Sequence, residues 1–242
     1  VINAAMAHQL NEFKAQIDRL VSDGMEQEEA LYKVLKETII ASQNIRFEGD
    51  GYSDEWKDEA ARRGLTNICH VPEAIMKFND PQSRSVLIGE KIFNENELNC
   101  RIEVELEKFT KKVQIESRVL GDLAINHIVP TAVIYQNRLL ENLRGLKEIF
   151  STEEYEEMTA DRKDLVREIQ RRILSIKKAV HDMTEARKVA NHLGSQVEKA
   201  FSYEEKVRPY LEEIREHIDS LELEIDDEIW PLPKYRELLF TK

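Results

Sequence analysis

Cysteine is scarce, with Cys69 and Cys100 the only two in 242 residues, and neither has a CxxC companion. A disulfide framework and a thiolate zinc site are therefore both excluded as organising principles, and a reducing, cytoplasmic setting is expected. Glycine and proline number only eight and six, too few for a turn-rich β architecture. No apolar run approaches the roughly 20 residues of a membrane span, so a soluble chain with no membrane partner is expected. Basic residues are in deficit, 35 against 47 acidic ones, and the net charge of -12 opposes attraction to nucleic acid or an anionic membrane face. An initiator methionine is lacking too, and Val1 to Ala7 is already helix-like. The chain is thus expected to be a piece of something longer.

What is abundant is Glu, Lys, Leu, Arg, Ala and Ile, the composition of long helices. Leu10, Phe13, Ile17, Leu20 and Val21 recur at helical spacing up to Gly24, and Ala30, Leu31, Val34, Leu35 and Thr38 repeat the pattern to about Asn44. Ile45-Arg46-Phe47 is the one candidate strand, running into a Gly49-Asp50-Gly51 turn. Ser53 is placed to cap a helix that Gly64 ends, and Pro72 and Pro81 each mark the start of another short one. From Asn94, which forms a capping box with Glu97, helical spacing continues to Phe150 with a single interior proline, Pro130, expected to kink it near Asn126 to Pro130.

Ser151 and Glu154 open the next helix, whose Ile169, Ile173, Ile176, Val180, Met183, Ala186, Ala190, Leu193 and Val197 form a heptad seam. Ser202 and Glu205 read as a further capping box, opening a third helix with a seam at Val207, Leu211, Ile214, Ile218, Leu221 and Ile225, its start disturbed by Pro209. Residues 161–200 hold ten basic against six acidic side chains and residues 202–228 three against eleven, so the two helices are expected to attract. The expectation is an all-α fold in two parts: a compact short-helix region over 1–93, then an antiparallel bundle of long helices over 94–242.

Chemistry is hard to find in this pattern. A di-iron bundle needs Glu-x-x-His on two helices, but Ala5, Asn67, Ala124, Lys178, Val189 and Ile214 stand three residues before the six histidines. HExxH is absent, Gly49-Asp50-Gly51 lacks phosphate-loop or EF-hand spacing, and no serine has a nucleophile-elbow context. No catalytic, cofactor-binding or metal residue is expected in the chain. Trp230, Tyr235, Leu238, Leu239 and Phe240, set around Pro231 and Pro233, are instead candidate docking or interface residues, because free tails are seldom so apolar.

The run Phe47-Glu48-Gly49-Asp50-Gly51-Tyr52-Ser53-Asp54-Glu55-Trp56, with Glu59-Ala60 and Arg63-Gly64-Leu65, closely resembles a block of the type III glutamine synthetases. Val1 to Ala7, the Phe109 to Phe150 helix with Glu116, Arg118 and Pro130, and the Trp230 to Phe240 tail are similar to that family as well. The resemblance implies a parent that ligates ammonia to glutamate using ATP and Mg²⁺ or Mn²⁺, in two stacked hexameric rings. It places the metal and nucleotide residues upstream of Val1, and leaves to this region a structural role in contact with other subunits of the homo-oligomer. The alternative from the residues alone is a free-standing helical scaffold or adaptor that binds partner helices. A start codon before Val1 would favour that alternative, and an upstream reading frame the parent enzyme.

Overall fold

The structure is a computed structural model, described here for residues 1–239, with the side chains of Tyr235 and Arg236 left aside. It is all-α, 82% helical, with no strand among the described residues. The chain divides into two compact units, Val1–Glu105 and Leu106–Lys242, so the division falls inside a helix.

In the first unit, α1 (Ile2–Ser22) and α2 (Gln27–Ala41) pack together across the turn at Gly24, whose positive φ of 95° favours glycine. They bury only Ala4, Ala30 and Val34. Leu10 and Val21, expected on the inner face, are exposed, as are Leu31 and Leu35. A 3₁₀ turn, Ser42–Ile45, follows, and the candidate strand at Ile45 to Phe47 does not form. Then come α3 (Asp54–Arg62), capped as expected by Ser53, and α4 (Val71–Met76) and α5 (Pro81–Gly89), both with proline in their first turn. α6 (Glu95–Leu123) begins with the expected box, Asn94 N–H donating to Glu97 and Glu97 N–H to Asn94, at 2.8 and 2.9 Å. Arg84 ties α5 to this start through Asn79, Asn99 and Glu95.

The second unit is built around α8 (Thr152–Asn191), which the Ser151–Glu154 capping box opens. α6 continues through one π-helical turn, Ala124–Ile128, into α7 (Val129–Ile149), so helix is unbroken to Ile149 and the expected disturbance at Pro130 is an irregular turn just before it. The partners along this segment fall in number as it rises: Gln114 meets Asn191, Ser117 meets Arg187, Gln136 meets the Val166 carbonyl and Asn142 meets Arg162. The two segments therefore run in opposite directions.

The last long helix does not start at Ser202. α8 stops at Asn191, and Ser195 caps α9 (Gln196–Ser202), accepting from Glu198 N–H. A second π-helical turn, Tyr203–Val207, leads into α10 (Arg208–Glu224). Ser202 thus lies inside continuous helix, buried, its hydroxyl without a partner among the described residues. Leu193 and Val197 fall beyond the end of α8, while Ile169, Ile173, Ile176 and Met183 of its seam are buried against Val207, Ile214, Ile218, Leu221 and Ile225. Most of the α8 basic residues pair along their own helix rather than across it, Arg171 and Arg172 with Glu168, and Lys188 with Glu185.

Candidate functional site

Three places concentrate polar or aromatic side chains. The first is the corner between the 3₁₀ turn and α3, the stretch that carries the glycine-rich motif. The ring of Phe47 leans on Trp56 with centroids 4.4 Å apart, and the Arg63 guanidinium sits over both, 5.7 and 6.0 Å from their centres. Arg63 Nη1 donates to the carbonyls of Arg46, at 2.7 Å, and Asn44, and its Nε donates to Glu59. Glu59 also accepts two hydrogen bonds from Arg62, at 2.6 and 2.7 Å. These donors hold the Glu59 carboxyl down at about 2, the Arg62 bonds foremost. Within the candidate strand Ile45 to Phe47, Ile45 closes the 3₁₀ turn and the Arg46 carbonyl accepts from Arg63, and no second strand is present among the described residues to pair with it. Beside this latch lies an open hollow of about 550 Å³ lined by Gln43, Asn44, Arg46, Arg62 and Arg63.

The second is a polar knot inside the second unit. Tyr203 is wholly buried, and its hydroxyl donates to Asn191 Oδ1 at 2.8 Å and accepts from Gln114 Nε2 at 3.2 Å. Gln114 also reaches Asn191 at 3.2 Å, so three helices share one closed triangle of hydrogen bonds. Burial raises the phenol pKa, which keeps the hydroxyl protonated as a donor. The half-buried Arg187 nearby is pushed down by desolvation and by Arg118. Nothing in the sequence pattern singled out this triangle, because Gln114, Asn191 and Tyr203 lie far apart in the chain.

The third is the tail. Trp230 is buried in the core of the second unit, with Ile229 and Leu232 packed against the same cluster. Asp226 fixes the approach, its backbone carbonyl accepting from Trp230 N–H and its carboxylate from Arg138 on α7, both at 3.2 Å. Lys234 returns to the Glu222 carbonyl at 3.1 Å. Leu238 and Leu239 on α11 (Tyr235–Leu239) are more than half exposed. The Tyr235 side chain and Phe240 lie outside the described residues. Of the three candidate docking residues whose side chains are described, Trp230 lies in the core and Leu238 and Leu239 do not.

Among the described residues no three His, Cys, Asp or Glu side chains gather as a metal ion would require, so these residues do not fit the divalent cation that the resemblance implies. Among the histidines, His8 meets Glu90 at 3.0 Å and Glu12 at 3.4 Å, His192 meets the Lys188 carbonyl, and His217 meets Arg172 at 3.3 Å. No helix is long and apolar enough to cross a membrane among the described residues.

The family model of the glutamine synthetase C-terminal domain matches residues 30–147. A glutamine synthetase of Bacteroides fragilis (strain YCH46) is 74% identical over 241 residues, covering 100% of this chain and 33% of that protein. A type-3 glutamine synthetase of Dictyostelium discoideum is 27% identical, covering 100% of this chain and 33% of its own length. A glutamine synthetase of Butyrivibrio fibrisolvens is 28% identical over 90% of this chain and 31% of its own. The chain thus spans about a third of the length of the curated relatives it matches. From these matches together with an all-α structure, the chain belongs to the glutamine synthetase family, as its C-terminal region.

Proposed function

We propose that this chain is the architectural part of a cytoplasmic homo-oligomeric ligase that joins ammonia to glutamate using ATP and Mg²⁺ or Mn²⁺, and that the reaction itself takes place on the rest of the parent. The observation that carries the structural role is a pair of bare apolar stripes on the first helical hairpin. Ile2, Met6 and Leu10 on α1 are 76%, 60% and 61% exposed, and Leu31, Leu35 and Ile39 on α2 are 44%, 41% and 55% exposed. Their four-residue spacing puts each set on one helix face. Such side chains forgo roughly 1.5–3 kcal/mol each when left in water, and stripes of this length mark a contact surface. About two thirds of each relative lies outside the matched stretch, which supplies the covering surface.

The test places Met6→Glu and Leu35→Glu in the isolated chain and in the full-length parent. The expected result is an unchanged helical signal and melting temperature for the isolated chain, with a lower melting temperature or a smaller sedimenting species for the parent. Glutamine formation is expected from the parent and not from the isolated chain. Turnover by the isolated chain, or a parent indifferent to both substitutions, would refute the reading.

A further inference from the structure

The hollow beside α3 is a locally positive place on a chain whose net charge is -12. Three arginines line it, Arg46, Arg62 and Arg63, and among the described residues the one carboxylate bonded to any of them is Glu59. Glu59 offsets one of the three positive charges and stays ionised to about 2. Two charges are left over.

Two of the three guanidiniums are also held in place. Arg63 is fixed by Glu59, by the carbonyls of Asn44 and Arg46, and by the rings of Phe47 and Trp56. Arg62 is locked on Glu59 through Nε and Nη2. A guanidinium offers five N–H donors in a rigid fork. Among the described residues, Arg62 Nη1, Arg63 Nη2 and the whole Arg46 head have no bonded acceptor, and Gln43 and Asn44 add side-chain amides to the same hollow. Preorganised donors lose little entropy on binding, so they favour a ligand with several acceptor oxygens at one centre.

We propose that this hollow binds a phosphate group, either free phosphate or the phosphate of a small ester. A carboxylate presents two oxygens in one plane, whereas donors from three arginines and two amides are better matched by the three or four oxygens of a phosphate. The volume of about 550 Å³ exceeds what a lone phosphate fills, which leaves room for an esterified group.

Trp56 reports on the site, because it stacks with the Phe47–Arg63 latch. The experiment titrates the 242-residue chain, in a Trp230→Phe background, with inorganic phosphate and separately with adenosine monophosphate, at ionic strength held constant with chloride. Trp56 fluorescence and ³¹P line width are read together. A saturable response is expected, and Arg46→Ala should weaken it about tenfold or more, as loss of a charge-assisted partner does. Arg46 makes no side-chain bond among the described residues, so its loss leaves the fold intact. Lys112→Ala, a change at a 74%-exposed lysine in the other unit, should leave the response unchanged. Tighter binding of the ester assigns the site to an organic phosphate, and tighter binding of inorganic phosphate assigns it to the free anion. A response that does not saturate, or that Arg46→Ala and Lys112→Ala change equally, overturns the proposal.

Discussion

Replacing Tyr203 by Phe deletes one hydroxyl from a triangle that has a spare edge. Its bonds to Asn191 and Gln114, 2.8 and 3.2 Å, are lost, but Gln114 still reaches Asn191 at 3.2 Å, so neither amide is stranded. The loss should therefore be the net worth of a neutral hydrogen bond, about 0.5–1.5 kcal/mol. Asn191→Ala is a different case, because it leaves the buried phenol with no acceptor and should cost about 1–3 kcal/mol. Tyr203→Ala removes a ring with no exposed surface, with an expected cost of about 3–5 kcal/mol. Thermal melts followed by Trp230 fluorescence in a Trp56→Phe background report on this unit, since Trp230 and Tyr203 share one core cluster. The expected order of destabilisation is Tyr203→Phe, then Asn191→Ala, then Tyr203→Ala, at about 2–4 °C per kcal/mol for a chain of this size. A double mutant of Tyr203→Phe with Asn191→Ala should cost less than the sum of its parts. If Tyr203→Phe proves as damaging as Tyr203→Ala, or Asn191→Ala costs nothing, the triangle is not what holds these helices in register.

Ser202→Ala should be neutral or raise the melting temperature, because it removes a buried hydroxyl without a partner and puts the better helix former inside a helix; a drop of several degrees would mean that the hydroxyl is bonded. Glu59 has its carboxyl lowered from 4.5 to about 2 in the folded state, so its contribution is fully present above pH 4.5 and is lost as pH falls through about 2. Trp56 emission should therefore hold steady through pH 4.5 and change only as pH falls toward about 2, and a Glu59→Gln chain should show no such transition.

Helix starts were legible wherever the capping residue stood outside a helix. Asn94 with Glu97, Ser151 with Glu154, and Ser53 all cap as their spacing indicates. The same spacing misled at Ser202 and Glu205, because a Ser-x-x-Glu within a helix is indistinguishable from one that begins it. The working cap, Ser195 with Glu198, lay in a stretch where Leu193 and Val197 happened to continue the seam across Gly194. The Phe47 to Trp56 block was recognisable by its residues, yet its latch was not, since the Arg63 bonds to backbone carbonyls leave no trace in hydrophobic period. Trp230 was foreseeable as an anchor from its size. The burial of Tyr203 rested on partners 12 and 89 residues away and was not foreseeable.

The two interior prolines of the second unit share one arrangement. Each stands second after a π-helical turn, Pro130 after Ala124–Ile128 and Pro209 after Tyr203–Val207. In a regular α-helix the ring of Pro130 would meet the carbonyl of Asn126, and that of Pro209 the carbonyl of Glu205. The wider turn avoids this by passing the hydrogen bond one residue further, Val129 N–H to Ala124 and Arg208 N–H to Tyr203. Side chains then close the wide turns: Thr131 Oγ1 donates to the His127 carbonyl at 2.9 Å, and Arg208 grips the buried Glu204 at 2.8 and 3.0 Å. An extra residue in a turn also rotates every later side chain about the axis, so the seam after each proline is re-phased relative to the seam before it. Both π-helical turns lie against α8, the 40-residue helix that contains no proline. α8 keeps one unbroken helical period, whereas its two neighbours each change phase at the turn before their proline, which is why a reading based on a fixed period found the prolines but not the inserted residues.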